Sequence, residues 1–359
     1  MMLISFGTRP EYIKIKPLLG AFRGHIPFKL LFTGQHVDLL SHVEDEIAKL
    51  EIQDGENRLD SIVSSVMNNN RFFEDVDSVL VQGDTTSAFA VALAAFHRKI
   101  KIIHLEAGLR TFNKNHPYPE EFNRRAISCM ADIHLSPTDV CSEHLKKESV
   151  DGKIFTVGNT VLDNLVDITP EYTNTVVVTM HRRENHAHIP EWFAMFDKIA
   201  QENPEFKFIL PIHPNPNVKR HAHLLQHVKV VEPMEYNDFL NLLASSYMVI
   251  TDSGGLQEES SFFKKKCIVC REKTERTEGM GHFSFMSSLS EVETLFNMIK
   301  DNHIPTEECP YGDGRSANRI RDILKAFVRP QTDTSEGKTL NGCWSCMAAI
   351  TRISLIPIS

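Results

Sequence analysis

Both glycine signatures by which α/β proteins most often hold phosphate are missing from this sequence. The Ser-Gly-Gly turn at 253–255 is followed by Leu-Gln rather than Lys-Ser/Thr, and no G-x-G-x-x-G run occurs. Neither a P-loop NTPase nor a classical nicotinamide enzyme is therefore supported. Excess positive charge is missing too. With 39 Lys and Arg against 47 Asp and Glu, the formal net charge is −8, whereas a nucleic-acid binder clusters basic residues in a basic domain. An anionic ligand must therefore be held by local cations. No long apolar run is present. MMLISFGTRP reaches Gly7 and Arg9 after a handful of apolar residues, which predicts neither a signal peptide nor a membrane span and points to a cytoplasmic protein. The 7 cysteines, odd in number and scattered, make no disulfide framework and suit a reduced compartment. Cys267 and Cys270 form a C-x-x-C inside the strand-like run KKKCIVCRE, where positions i and i+3 face opposite sides, so no metal site is expected there. Cys343 and Cys346 read as exposed tail residues.

What is present is an α/β rhythm. The chain has 359 residues and is 42% hydrophobic, enough for two domains with real cores. Short β-rich runs ending in turn residues alternate with helical stretches: LISFG, FKLLFTG, SVLVQGD, KIIHLEAG, IHLSP and IFTVGN. After a polar, Thr-rich passage the rhythm restarts with VVVTMH, FKFILPIHP, VKVVEP, YMVITDSGG and KCIVCRE. The pattern predicts two Rossmann-like domains, residues 1–166 and 167–329, with the last helix around 315–328 crossing back to the first. Residues 330–359 lose all periodicity and read as a tail outside the core. In such sheets ligands lie beyond the carboxyl ends of the strands. The unusual clusters GTRPE, TGQH, QGDTT, LEAGLR, HRREN, HPNP and TDSGG all fall there, which predicts one interdomain cleft.

The clusters divide by chemistry. Arg9 and Lys14, near the end of the first strand, are candidates to face an anion. Ser253, Gly254 and Gly255 offer backbone N–H groups at a helix start, a site that favours negative charge. His181, Arg182, Arg183 and Arg276 add cations or donors nearby. A diphosphate held by a helix N-terminus and fixed cations fits this set. Glu259, one to two turns into that helix, is placed to accept from a ribose diol, while Glu258 reads as a solvated or capping residue. Asp84, Glu106 and Glu120 are acid/base candidates, with His213 approaching from the opposite side. Each has a plainer reading: Asp84 as a helix N-cap, Glu106 as a partner of Arg110, and Glu120 as a loop charge.

Taken in order, FGTRPEYIKIKPL, TGQH, VQGDTTS, HLEAGLRT, PEEFNRR, GNTVLD, HRREN, PIHPNP, TDSGGLQEE, TERTEG and PYGDG resemble the non-hydrolysing UDP-N-acetylglucosamine 2-epimerase family over residues 2–328. The resemblance implies a fold similar to the GT-B glycosyltransferases, no cofactor, no metal, and a UDP-sugar as the partner molecule of a homodimer. Carried over, it gives Arg9, Lys14, His181, Ser253, Gly254, Gly255, Glu259 and Arg276 as nucleotide or phosphate contacts, with Phe239 near the uracil. It gives Asp84, Glu106, Glu120 and His181 or His213 as catalytic groups. Gln35, Glu121, Arg182 and His213 match a second, activating UDP-sugar site. The chain departs from the family pattern at Thr277, Met234 and Asp38. A hydrolysing epimerase, a GT-B glycosyltransferase and a non-catalytic UDP-sugar-binding protein are the competing readings.

Overall fold

The computed structural model describes residues 1–35, 46–53, 55–301 and 304–327. The tail expected at 330–359 and Asp38 lie outside the described residues, as does the side chain of Arg183. Two parallel sheets carry the fold. The first contains β1 (Met2–Phe6), β2 (Phe28–Phe32), β3 (Ile47–Lys49), β4 (Ser78–Gln82), β5 (Lys101–Leu105), β6 (Ile133–Ser136) and β7 (Lys153–Thr156), in the order β3-β2-β1-β4-β5-β6-β7. The second contains β8 (Thr175–Thr179), β9 (Lys207–Pro211), β10 (Lys229–Val231), β11 (Met248–Thr251), β12 (Lys266–Val269) and β13 (Ser284–Met286), in the order β10-β9-β8-β11-β12-β13.

Interior strands of parallel sheets are covered by helices on both faces and so read as continuous apolar runs. In β4, Val79 and Val81 enter one core while Leu80 enters the other. In β11, Met248 and Ile250 pack on one side and Val249 on the opposite one. Cys267 and Cys270 likewise fall into opposite cores, as expected from their spacing. The three-residue edge strands β3 and β13 were not foreseen, because three residues are too few to show a period of two.

Each sheet reverses its strand order once, between β1 and β4 in the first and between β8 and β11 in the second. These switch points are where a crevice opens at the strand ends. The helices that start there are α1 (Arg9–Phe22), after β1, and α9 (Gly254–Phe262), after β11. Around them lie α2 (Arg58–Met67), α3 (Thr86–His97), α4 (Glu120–Met130), α5 (Asp139–Lys147), α6 (Ile189–Glu202), α7 (Pro216–Lys219), α8 (Tyr236–Ala244) and α10 (Val292–Ile299).

The final helix, α11 (Ser316–Phe327), packs in the first sheet's core: Ala317, Ile320 and Leu324 join Met2, Ile4 and Phe6. Burying Ile320 and Leu324 fully contributes about 1.5–3 kcal/mol each. Its first turn is capped from a distant segment, with Asp163 accepting from Ser316 N at 3.0 Å and Ala317 N at 2.7 Å. No helix among the described residues is long and apolar enough to cross a membrane.

Candidate active site

The β1–α1 corner is closed by its own side chain. Thr8 caps α1, and Glu11 completes a capping box. The buried Glu11 carboxylate accepts from Gly7 N at 2.9 Å, Thr8 N at 2.8 Å and Thr85 Oγ1 at 2.8 Å. Arg9 and Lys14 stand five positions apart, which turns them roughly 140° from one another around the helix. They do not converge. Arg9 reaches exposed Glu235 at 3.0 Å, whereas Lys14 turns inward to both oxygens of Glu106 at 2.6 Å.

The β11–α9 corner is open. Ser253 N is taken by Thr251 Oγ1 at 2.9 Å, but the Ser253 side chain makes no cap, and the N–H groups of Gly254 and Gly255 have no acceptor among the described residues. Gly254 is required by close approach: a Cβ there would sit 2.7 Å from Nη1 of Arg276. That guanidinium is buried and clamped, Nε donating to Glu258 at 2.6 Å and Nη1 to Glu275, with Glu106 at 3.6 Å from Nη2. Glu258 is thus neither solvated nor a cap; it is 1% exposed and also accepts from Asn159 Nδ2 at 2.7 Å. The sequence misled because a helix position five residues in is exposed only if nothing covers it, and Asn159 and Arg276 do.

Glu259 faces Tyr236 at the start of α8, accepting its hydroxyl at 2.8 Å. Burial pushes the Glu259 carboxyl up to about 7 despite that hydrogen bond. Phe239, one turn further along α8, is half-buried against the core beneath α9.

The carboxylates of the first half converge on the same cleft. Asp84 is paired with Arg124 through Nε at 2.7 Å and Nη2 at 2.6 Å. It does not cap α3; Thr85 does. Glu106 does not pair with Arg110, whose guanidinium is taken by Glu148 and Ser128. Glu120 opens α4 with one oxygen buried and unpartnered. Burial, together with nearby Asp84, raises its carboxyl above the ordinary range. Glu121 is wholly buried and accepts from Thr111 N at 3.0 Å, Phe112 N at 3.1 Å and Arg124 at 3.3 Å. Gln35 accepts from the Ser87 hydroxyl at 2.8 Å.

On the second half, His181 and His213 lie with rings parallel, centroids 5.3 Å apart and planes 9° from one another. Burial lowers both imidazoles, overriding the Asp252 carboxylate, so both are neutral near pH 7. Asp252 is a site residue without a signal in the sequence. Fully buried, it accepts from His181 N at 3.0 Å and Arg182 N at 2.7 Å, and its Oδ1 lies 3.4 Å from His181 Nδ1. A proton on Nδ1 then leaves Nε2 as the basic nitrogen. Half-buried Arg182 has its guanidinium depressed by burial and by Arg271.

The 271–279 strap stitches the halves together. Glu275 pairs with Arg271 at 3.3 Å and lies 3.8 Å from Arg124 of the first half, while Glu278 accepts from Thr138 there. A cavity of about 990 Å³ opens between the 111–117 loop and the strap's Arg271 and Lys273. None of the sequence-predicted groups lines that cavity. Contacts instead join Lys14, Glu106, Arg276 and Gly254 in one cluster, bring Asp84 to it through Arg124 and Glu275, and pair His181 with His213, while Arg9 reaches only the exposed Glu235. No group of three or more His, Cys, Asp or Glu side chains among the described residues is arranged to hold a metal.

Known proteins share this architecture. The family model for UDP-N-acetylglucosamine 2-epimerase matches residues 21–325. A Campylobacter jejuni protein named UDP-N-acetylglucosamine 2-epimerase is 34% identical over 373 residues, covering 90% of this chain and 97% of its own. The crystal structure of UDP-GlcNAc 2-epimerase from Neisseria meningitidis bound to UDP-GlcNAc aligns with a TM-score of 0.80 at 33% identity, covering 90% of this chain and 99% of that one. Acinetobacter baumannii MurG, 12% identical, aligns with a TM-score of 0.56 over 90% of this chain and 98% of its own, and shares the two-domain GT-B-like fold.

Proposed function

The chain belongs to the UDP-N-acetylglucosamine 2-epimerase family, and from that premise we propose that it interconverts UDP-GlcNAc and UDP-ManNAc at C2 without net hydrolysis. The observation that carries this reading is the open α9 turn, with Arg276 set against Gly254 and opposed by the Lys14–Glu106 and Asp84–Arg124 pairs. Arg276, Lys14 and the Gly254 and Gly255 N–H groups hold the diphosphate, Glu259 the ribose, and Phe239 the uracil side. Rim residue Arg9, Ser253 and His181 complete the nucleotide contacts. The division at residue 166 belongs to the same reading, residues 1–166 supplying the sugar side and 167–329 the UDP side.

The reaction is an elimination and re-addition. A carboxylate takes the C2 proton, the C1–O bond breaks with its electron pair leaving on UDP, and a C1=C2 double bond forms in 2-acetamidoglucal. A proton then arrives at C2 from the opposite face while UDP returns to C1. Asp84, Glu106, Glu120, His181 and His213 are the proton carriers, and the cation and N–H array stabilises departing UDP. Run in heavy water, the reaction should leave deuterium at C2 of UDP-ManNAc and of recovered UDP-GlcNAc. Epimerisation without C2 label would overturn the elimination, and a glycosyltransferase would leave C2 untouched.

Three finer statements complete the proposal. Gln35, Glu121, Arg182 and His213 form a second, activating UDP-sugar site; Arg182, half-buried near Arg271 and Arg276, favours an anion there. A homodimer forms through the outward faces of α3 and α4, where Phe96 and Phe122 are 54% and 52% exposed. Light scattering on Phe96→Glu and Phe122→Glu, each expected to give monomer, tests it. A cytoplasmic location fits Cys129, Cys141, Cys267, Cys270 and Cys309, all free thiols.

A further inference from the structure

Arg276 is gripped unequally. Glu258 holds Nε at 2.6 Å, and Glu275 holds Nη1 while being braced by Arg271 at 3.3 Å. The third carboxylate, Glu106, reaches Nη2 only at 3.6 Å. Two legs are hydrogen-bonded and fixed, and the third is long. Glu106 is also the group that takes Lys14 on both oxygens at 2.6 Å. One carboxylate therefore spans the two cations beside the open α9 turn, on the side where a diphosphate would meet them.

Its aim is built into the backbone. Glu106 follows β5 with φ +64, a left-handed conformation that a non-glycine residue adopts only when its surroundings impose it. Gln82 from β4 and Asn159 from the segment after β7 also donate to it, the latter at 3.2 Å. Asn159 donates to Glu258 as well, at 2.7 Å. A phosphate group bonded to Nη2 and Lys14 would add negative charge to cations that already carry carboxylates. On Arg276 the contact that can yield is the long one, since Glu106 makes no hydrogen bond to the guanidinium while Glu258 and Glu275 do. Gln82 and Asn159 remain to hold the Glu106 carboxylate once phosphate takes its cations.

We propose that Glu106 is the internal counter-anion of the phosphate site, and that the substrate's diphosphate displaces its carboxylate from Lys14 and Arg276, freeing it to accept a proton. This rests on the UDP-sugar reading above. Substrate arrival would then switch on the group that must act next, so that a strong base is not exposed before the sugar is in place.

The charges around Glu106 give the sign of the effect. It is faced by Lys14 from α1, Arg124 from α4, Glu258 from α9, Arg276 from the strap and buried His104 on its own strand. Burial raises its carboxyl, but Lys14 and Arg276 more than offset this and hold it below the ordinary carboxylate range. With both cations turned to phosphate, burial and Glu258 raise its affinity for a proton, which the sugar's C2 supplies in the substrate complex and which must come from solvent when UDP binds alone. Glu106→Gln removes the competitor without changing the shape.

UDP titration calorimetry at pH 6, in buffers of different ionisation enthalpy, reads the proton count directly. Wild type is expected to take up more protons on binding UDP than Glu106→Gln, and Glu106→Gln to bind UDP more tightly, on the order of tenfold. Lys14→Met, which frees Glu106 in advance, is expected to lose part of the uptake while binding UDP more weakly. Equal proton uptake in wild type and Glu106→Gln, or weaker UDP binding by Glu106→Gln, would overturn the exchange while leaving the UDP-sugar reading intact. No UDP binding by wild type would overturn that reading and the exchange with it.

Discussion

Two strand-to-helix corners meet at the cleft, built on one plan with opposite outcomes. After β1 the acidic residue stands at the third helical position, and Glu11 folds back to satisfy the turn's N–H groups. After β11 the acidic residues stand at the fifth and sixth positions, Glu258 and Glu259, too far along to reach back. The difference of two residues decides whether a helix N-terminus is spent on its own side chain or left for an outside anion. On the proposed function it also divides labour: the closed corner carries Lys14 to Glu106, and the open one leaves its N–H groups for the diphosphate.

The sharpest way to break this division is on the chemical side. Asp84→Asn, Glu106→Gln and Glu120→Gln are each expected to slow turnover by at least about 100-fold, the usual loss for a general acid or base, while UDP still binds. Steady-state rates beside UDP melting shifts check both halves of the statement. Near-normal rates in all three would assign these carboxylates to structure alone.

The closed corner is expected to matter for stability. Glu11→Ala strands two backbone N–H groups and the Thr85 hydroxyl in a buried site, and should lower unfolding free energy by about 3 kcal/mol. Urea denaturation measures it. At the open corner, Gly254→Ala drives a methyl into Arg276 and is expected to weaken UDP binding roughly 10- to 100-fold with little loss of stability. If both substitutions chiefly destabilise, the corners do not differ in purpose.

A smaller effect belongs to Glu259→Ala, which should remove roughly 1–3 kcal/mol of UDP binding free energy, read as a reduced UDP melting shift. The smallest is a pH effect without ligand. A carboxyl near 7 in the folded protein and near 4.5 when unfolded binds more protons folded, so stability contributed by protonated Glu259 is full below about pH 4.5 and is lost as pH rises toward 7. Glu259→Gln should flatten that decline in a melting-temperature profile.

The sheets were legible in the sequence because parallel interior strands are apolar on both faces and end in glycine turns; VLVQGD and VITDSGG announce themselves. β3 and β13 were not, being three-residue edges. Lys14, Arg276 and the Ser253–Gly255 turn were legible as charge or backbone at strand ends. Glu11, Asp252 and Glu275 were not, although each stands inside a quoted motif. Their parts depend on pairings with residues far off in sequence: Asp252 reaches His181 only because β8 and β11 are neighbours, and Glu275 approaches Arg124 only because the strap crosses the cleft. Glu258 was misread for the same reason, its cover coming from Asn159.

The return of α11 to the first sheet sets the order in which this protein can be made. Domains emerging from a ribosome generally fold in sequence, the first to appear being the first to close. Here the core around Met2, Ile4 and Phe6 keeps a gap until Ala317, Ile320 and Leu324 arrive. The second sheet, whose strands run from Thr175 to Met286, is translated in full before the first can be sealed. A nascent chain stalled just before residue 316 would thus display a finished second half tethered to a first half whose greasy flank is still uncovered, the stage at which a chaperone would be needed most.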